Sequence, residues 1–226
     1  MIDLQMNGGG GSQFNDDISL DTLDKMKKVC FKHGTTGFLP TMISSSFSDI
    51  KKSLDVVKAW VDTHGLTNGV LGIHLEGPFL SIEKKGIHEE SLIQVPSKEK
   101  LELIASYADH FQILMTIAPE NVSGEDVAFL ASHGVIIAIG HSNASYEIAT
   151  KSFDSGATAV THLFNAMSGL TGRDPGVIGA VLNNPSCYTA IIPDLHHVHP
   201  ANISISTKIK PEHMFIVTDC HSPAGT

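Results

Sequence analysis

Apolar runs of strand length alternate with longer amphipathic stretches along the whole chain. Eight of these runs are short and dominated by apolar residues, which is typical of strands buried on both faces. The predicted strands are Ile2–Asn7, Gly37–Thr41, Val70–Glu76, Ile113–Pro119, Val135–His141, Ala159–Phe164, Thr189–Asp194 and Met214–Asp219. Strands of this kind need other structure over their outer faces, so we expect helices between them.

Six helices are predicted in the intervening stretches. They are Leu20–His33, Ser48–His64, Lys98–His110, Gly124–His133, Tyr146–Ser155 and a short helix near Ala201–Lys208. Four of them run into a His-Gly or Ser-Gly pair, a signal for a helix C-terminus because glycine readily adopts left-handed backbone. Strands that alternate with helices in this way predict an α/β fold, a (β/α)₈ TIM-like barrel. A Rossmann-like open sheet is the alternative, but no G-x-G-x-x-G motif follows a strand.

The length of the chain fits a single barrel domain over residues 1–226. A (β/α)₈ barrel typically needs roughly 250 residues. The chain stops a few residues after the eighth predicted strand, so the barrel looks truncated there and one outer face lacks its helix. An uncovered apolar face usually indicates an interface or a risk of aggregation, and we therefore expect oligomers or marginal solubility.

Four of the predicted strands end in residues that bind metals or move protons. These residues are Glu76, His141, His162 and Asp219. Because the carboxyl ends of parallel barrel strands meet at one mouth, two carboxylates and two imidazoles would converge there. This combination is typical of a metal-dependent hydrolase.

The charge and the residue composition indicate which partners and sites to expect. A net charge of −9 and a pI near 5.7 argue against partners such as nucleic acid or an anionic membrane. Cys30, Cys187 and Cys220 are widely spaced, which predicts neither disulfides nor a cysteine zinc site and favours a cytoplasmic location. Arg173 is the only arginine, and its guanidinium suits phosphate or carboxylate recognition.

Five motifs in register along the chain carry a family resemblance. They are HLEGPFLS with KKGIH, GHSNASYEIA, THLFNAMSGLTGRDPGVIGAVL, PDLHHVHP and VTDCHSPAG. Together they resemble the N-acetylglucosamine-6-phosphate deacetylases of the amidohydrolase superfamily. That family normally carries a small flanking β-sandwich domain, whose segments are absent from this chain. The resemblance implies a hydrolase that converts N-acetylglucosamine 6-phosphate to glucosamine 6-phosphate and acetate.

The resemblance also implies a metal site. Glu76, His141 and His162 match the metal ligands, and one carboxylate with two imidazoles suits a single zinc or iron ion. Gln5 and Asn7 stand where many amidohydrolases carry a His-x-His pair for a second metal. Amides are poor ligands for transition metals, which favours one divalent ion per chain. Alternatively, the two amides only form hydrogen bonds inside the barrel mouth, which also predicts one metal ion per chain.

Catalytic and substrate-binding roles follow from the same match. Asp219 corresponds to the catalytic aspartate of the family, which would move a proton from the attacking water to the leaving amine. His88 corresponds to a histidine that polarises the acetyl carbonyl. The matched substrate-binding residues are Ile87, Asn165, Ala166, Arg173 and His197. In the family the arginine binds phosphate in the neighbouring subunit's site, which implies a homodimer.

Several alternatives stay open. The substrate could be the galactosamine epimer or a cyclic amide, or the short chain could be an inactive barrel that only binds sugar phosphate. His196, His197 and His199 could form an adventitious metal cluster, or a shifted register could bring His196 into the site. Adjacent Cys220 and His221 resemble a nucleophile and base, but neighbours in a strand point to opposite faces, which argues against a thiol mechanism.

Overall fold

The computed structural model describes all 226 residues as one barrel of eight parallel strands. The strands are β1 (Ile2–Met6), β2 (Gly37–Ile43), β3 (Gly72–Glu76), β4 (Gln112–Ile117), β5 (Ile136–Ile139), β6 (Ala159–Val160), β7 (Tyr188–Ile191) and β8 (Met214–Ile216). Each strand pairs with its neighbours in chain order, so the strand order is sequential from β1 to β8. The predicted α/β barrel is therefore confirmed.

Seven helices cover the barrel. They are α1 (Leu20–Lys32), α2 (Phe47–His64), α3 (Lys98–Ala105), α4 (Gly124–Ser132), α5 (Tyr146–Asp154), α6 (Gly176–Asn183) and α7 (Pro200–Ile209). The first five all begin after a serine whose hydroxyl accepts a hydrogen bond from a backbone N–H in the first turn, at Ser19, Ser46, Ser97, Ser123 and Ser145. Each such cap satisfies a donor that the helix leaves unpaired.

Helix α6 was not predicted from the sequence. Its residues Gly176–Val181 are all buried, so the segment is apolar on every side and lacks the amphipathic period that identifies a surface helix. Lys210 is buried below it and donates to the carbonyl oxygens of Val181 and Asn184. This lysine gives a second donor to carbonyl groups at the helix C-terminus, which also accept hydrogen bonds from the backbone N–H groups of Asn184 and Cys187.

Six strands end earlier than the apolar pattern predicts, and three of them, β5, β6 and β8, stop before a candidate site residue. β5 ends at Ile139, β6 at Val160 and β8 at Ile216, instead of continuing to His141, Phe164 and Asp219. The reason is local, since His141, His162 and Asp219 have φ angles of 46°, 32° and 51°. Left-handed backbone cannot continue a strand, so these polar side chains lie on the turns that leave the barrel.

The barrel interior is layered along its axis. Leu39, Leu114, Ala138 and Ala159 form an apolar cluster at the lower end, and the main core of 41 residues lies between strands and helices. Above the apolar cluster, the buried His74 ring lies 3.2 Å from Thr41 Oγ1 and 2.7 Å from Thr116 Oγ1. Glu76 lies two residues further along the same strand and hence on the same inner face, at the upper mouth.

The first and last strands meet at the same mouth. The Asp3 carboxylate accepts hydrogen bonds from the Thr218 hydroxyl at 2.5 Å and from its backbone N–H at 3.3 Å. A parallel bridge joins Met6 to Cys220, and Asp219 N–H donates to Gln5 carbonyl oxygen at 2.9 Å. The segment after β8 is thereby held against β1, which carries Asp219 to the barrel mouth.

The outer surface near β8 exposes apolar side chains. Ile216 of β8 is 49% exposed, and Ile205 and Ile209 of α7 are about as exposed. None of the helices combines the length and the apolar character needed to cross a bilayer.

Candidate metal centre and active site

The three predicted metal ligands converge at the C-terminal mouth of the barrel. Glu76 is the last residue of β3, and His141 and His162 each lie two residues beyond the ends of β5 and β6. All three side chains are buried. Their ligand atoms lie within 4.8 Å of one another, and they are the only cluster of this kind in the chain.

The distances within the cluster fit one metal ion. Glu76 Oε1 lies 3.0 Å from His162 Nε2 and 3.3 Å from His141 Nε2, and the two nitrogens are 3.1 Å apart. Ligand atoms about 2.0–2.1 Å from a tetrahedral zinc ion would be separated by roughly 3.3 Å. A carboxylate oxygen and two imidazole nitrogens directed at one point therefore form a suitable donor set for a divalent ion.

Surrounding groups orient the ligands for this role. His141 Nδ1 lies 2.9 Å from the Lys84 carbonyl oxygen, so this nitrogen carries the proton and Nε2 keeps its lone pair for a metal. Gln5 Nε2 donates to Glu76 Oε1 at 2.9 Å. Burial alone would raise the pKa of Glu76, but the neighbouring His141, His162 and His88 rings hold that pKa well below its usual range. Glu76 is therefore ionised, as a metal ligand must be.

His88 lies beside the cluster with a defined tautomer. Its Nδ1 accepts a hydrogen bond from the Ser44 backbone N–H at 3.2 Å and lies 2.9 Å from the Ser44 hydroxyl. The proton must then be on Nε2, which has no hydrogen-bond partner and lies 3.8 Å from Glu76 Oε2. Burial lowers the pKa of His88, so the ring is neutral and presents one N–H donor to the site.

Glycine is required where β3 leaves this site. Gly77 follows Glu76 with φ of 99°, and a Cβ there would lie 2.4 Å from Ser44 Oγ. A side chain would displace the serine that holds His88, so Gly77 lets these groups pack together.

Asp219 faces the same mouth from the segment after β8. Its Oδ1 accepts a hydrogen bond from Asn7 Nδ2 at 2.6 Å. Burial and the nearby Glu76 carboxylate raise the pKa of Asp219 to about 6. A carboxyl group that titrates near neutral pH is suited to take up and release a proton during catalysis.

Gln5 and Asn7 form hydrogen bonds inside the barrel mouth. Their amides hold Glu76 and Asp219 respectively, which agrees with the interpretation that they form hydrogen bonds inside the barrel mouth. The Asn7 Oδ1 atom is buried and has no protein partner. The two amides thus orient a candidate metal ligand and the candidate proton shuttle.

The structure brings some predicted substrate-binding residues close to the cluster and leaves others apart. Asn165 and Ala166 continue directly from His162, and Asn165 Nδ2 donates to the His162 carbonyl oxygen at 3.4 Å. Ile87 adjoins His88 and is 71% exposed. Arg173 lies on an exposed loop and lines a surface groove with Lys84, outside the metal cluster.

The histidines after β7 form no metal cluster. The exposed His197 ring lies 2.7 Å from Asp194 Oδ2, and both His196 and His197 donate backbone N–H groups to Asp194 Oδ1. His199 accepts a hydrogen bond from the backbone N–H of Ala201 and caps α7. The possibility of an adventitious metal site here is therefore not supported.

A thiol mechanism is also excluded by geometry. The Cys220 thiol points towards the Gly8 carbonyl oxygen at 3.3 Å, and His221 Nδ1 instead lies 3.3 Å from Gln13 Nε2. Burial raises the pKa of the Cys220 thiol, so it is not an activated nucleophile.

Sequence reasoning missed several residues that build the site. His74 lies below Glu76, Ser44 holds His88, and Glu120 contacts the loop after His141. The sequence contains a signal for each of them. His74 shares the inward face of β3 with Glu76, whereas Ser44 and Glu120 follow the ends of β2 and β4. Polar residues just beyond buried strands are expected at a barrel mouth.

Comparison with known proteins gives similarity along the whole chain, although no family model matches it. The chain is 43% identical to the N-acetylglucosamine-6-phosphate deacetylase of Haemophilus influenzae over 99% of its length, which is 58% of that protein. It is 39% identical to the N-acetylgalactosamine-6-phosphate deacetylase of a Shewanella species over 100% of its length, and covers 57% of that relative.

Solved structures agree in fold. The crystal structure of the N-acetylglucosamine-6-phosphate deacetylase from Pasteurella multocida superposes with a TM-score of 0.95 at 42% identity, over 99% of this chain and 58% of that one. An aspartate-to-alanine mutant of the Mycobacterium smegmatis enzyme in complex with N-acetyl-D-glucosamine-6-phosphate gives a TM-score of 0.89 at 29% identity, over 98% of this chain and 57% of that one. The resemblance of this chain to the N-acetylglucosamine-6-phosphate deacetylases is therefore confirmed along its whole length, which spans somewhat more than half of theirs.

Proposed function

We propose that the protein is a metal-dependent deacetylase that hydrolyses the acetamide of N-acetylglucosamine 6-phosphate to glucosamine 6-phosphate and acetate. The convergence of Glu76, His141 and His162 beside His88 and Asp219 carries this proposal. The names of the relatives support the same reaction. The chain spans about 58% of the length of these relatives.

Glu76, His141 and His162 would hold one divalent ion, zinc or iron. Such an ion polarises an amide carbonyl and makes water nucleophilic at neutral pH. The chain's own groups complete the chemistry. The His88 Nε2–H donates a hydrogen bond to the carbonyl oxygen, which becomes more negative as water adds to the carbon. Asp219 accepts the proton of the attacking water and delivers it to the leaving amine, so the products are acetate and the free amino sugar.

Substrate recognition is proposed for residues around this mouth. Ile87, Asn165 and Ala166 lie on the two segments that adjoin His88 and His162. Arg173 would bind the phosphate, and its place on an exposed loop is compatible with serving a second subunit in a homodimer. His197 would contact the sugar, with Asp194 orienting its ring. The cytoplasmic location stays a prediction.

A deacetylation assay on the purified chain tests the proposal. Acetate release is measured with N-acetylglucosamine 6-phosphate, its galactosamine epimer and unphosphorylated N-acetylglucosamine, before and after chelation and zinc restoration. We expect zinc-dependent activity with a preference for the phosphorylated glucosamine. Both epimers are included because relatives of both kinds match the chain.

Asp219→Asn tests the role of the shuttle, with the exposed Asp109→Asn as the matched control. Turnover should fall by at least about 10² in the first variant and stay unchanged in the second. Absence of metal-dependent acetate release from the folded, zinc-loaded chain would refute the proposed function and leave a barrel that at most binds sugar phosphate.

A further inference from the structure

The turn that follows the metal ligand His141 is held by a carboxylate from another strand. Glu120 lies just beyond β4, and its two oxygens accept hydrogen bonds from the Ser142 hydroxyl at 2.7 Å and the Asn143 backbone N–H at 2.6 Å. Ser142 is completely buried. Hydrogen bonds to an ionised carboxylate are stronger than those between neutral groups, so this contact restrains the turn.

The same turn is linked to the segment that follows His162. The Ser142 backbone N–H donates to the Ala166 carbonyl oxygen at 3.1 Å, and the Ser168 N–H donates to the Ser142 carbonyl oxygen at 3.0 Å. Ser142 and Met167 form a parallel bridge. Glu120 therefore restrains, through Ser142, the turns of two of the three metal ligands.

These turns need restraint because their backbone is unfavourable. His141 and His162 have φ angles of 46° and 32°, in a region that residues with a Cβ rarely occupy. Such conformations persist only when the surrounding structure imposes them. On the opposite side of the turn, Asn143 Nδ2 donates to Glu83, and Lys84 next to it provides the carbonyl partner of His141.

We propose that Glu120 is a positioning residue for the metal centre, which holds His141 and His162 at the separation that one divalent ion requires. This inference rests on the proposed metal site. Glu120 itself does not contact the ligand nitrogens, and it acts through the Ser142–Asn143 turn. Loss of the carboxylate would let that turn relax towards ordinary backbone and move the two imidazoles apart.

Metal affinity of the full chain tests the proposal independently of activity. Zinc dissociation constants are measured by competition with a chromophoric chelator for the unaltered chain, Glu120→Ala, Glu120→Gln and the control Glu125→Gln. Glu125 is an exposed carboxylate in the first turn of α4. We expect zinc binding to weaken by at least about 10-fold in both Glu120 variants, the scale for lost support of a metal ligand, and to stay unchanged in the control.

Two further measurements separate positioning from general destabilisation. Cobalt substituted for zinc should give an altered visible spectrum in Glu120→Gln, because ligand geometry has changed, and thermal unfolding of the metal-free proteins shows whether the fold is kept. If Glu120→Ala does not fold, Glu120→Gln decides the question. Equal zinc affinity and an identical cobalt spectrum in Glu120→Gln and Glu125→Gln would overturn the role of Glu120. No zinc binding by the unaltered chain would instead refute the metal site itself.

Discussion

Replacing Asn7 should move the acid limb of the pH–activity profile to higher pH. The Asn7 amide donates to Asp219 Oδ1 at 2.6 Å and so stabilises the ionised carboxylate. Asp219 must be ionised to accept a proton from the attacking water. Asn7→Ala removes the donor and favours the protonated form, which raises the pKa of Asp219 above its value of about 6.

The size of the change follows from the strength of this hydrogen bond. A hydrogen bond to a charged group contributes roughly 1.5–3 kcal/mol, and 1.36 kcal/mol corresponds to about one pKa unit. Water that enters the space left by the side chain replaces part of the bond, so we expect an increase of about one unit. An increase of one unit lowers the ionised fraction roughly 5-fold at the midpoint pH of the unaltered chain, but by only about 10% at two pH units above that midpoint.

The assay is kcat/KM for acetate release between pH 5 and pH 9, with the zinc-loaded chain, Asn7→Ala and the control Asn15→Ala. Asn15 is an amide outside the metal cluster that hydrogen-bonds the backbone of Ile43. A divalent ion at Glu76 would lower the pKa of Asp219 in every sample, so the informative quantity is the difference between variants. If the midpoint of Asn7→Ala is equal to or below that of the unaltered chain, the argument that Asn7 stabilises ionised Asp219 is wrong.

Three further predictions concern the metal, the phosphate and the assembly. Metal analysis of the purified protein should find about one divalent ion per chain, and Glu76→Gln combined with His141→Asn should remove it; two ions per chain would contradict the assignment. Arg173→Ala should raise the KM for the phosphorylated substrate by roughly 10- to 100-fold and leave the KM for the unphosphorylated sugar unchanged. An equal increase in KM for both sugars would count against phosphate recognition. Light scattering should find a dimer or larger assembly, because the surface near Ile216 is apolar and exposed; a stable, fully active monomer would show that no second subunit is needed.

The sequence by itself determined the architecture and which residues form the candidate metal cluster. Apolar runs separated by helical stretches predict a parallel barrel, because strands that are apolar on both faces must be buried on both faces. Once the strands were parallel, residues at their carboxyl ends had to share one mouth. Glu76, His141, His162 and Asp219 could therefore be placed together without coordinates, because their position depends on strand order alone.

Helix α6 and the strand ends depended on tertiary contacts. The helix is buried on all sides, so its sequence has no period that points to a surface. The ends of β5, β6 and β8 depended on left-handed residues, which an apolar pattern does not reveal because histidine and aspartate also occur in extended strands.

Only the tertiary structure decided how the site residues are held and protonated. The tautomer of His88 depends on a backbone N–H from Ser44, and the pKa of Asp219 depends on burial and on Glu76, far away in the chain. Hydrogen bonds and desolvation act over a few ångströms between segments that the sequence separates widely. Residue types at strand ends therefore predict which groups meet, whereas the direction and charge of each group follow from the contacts it makes in the folded barrel.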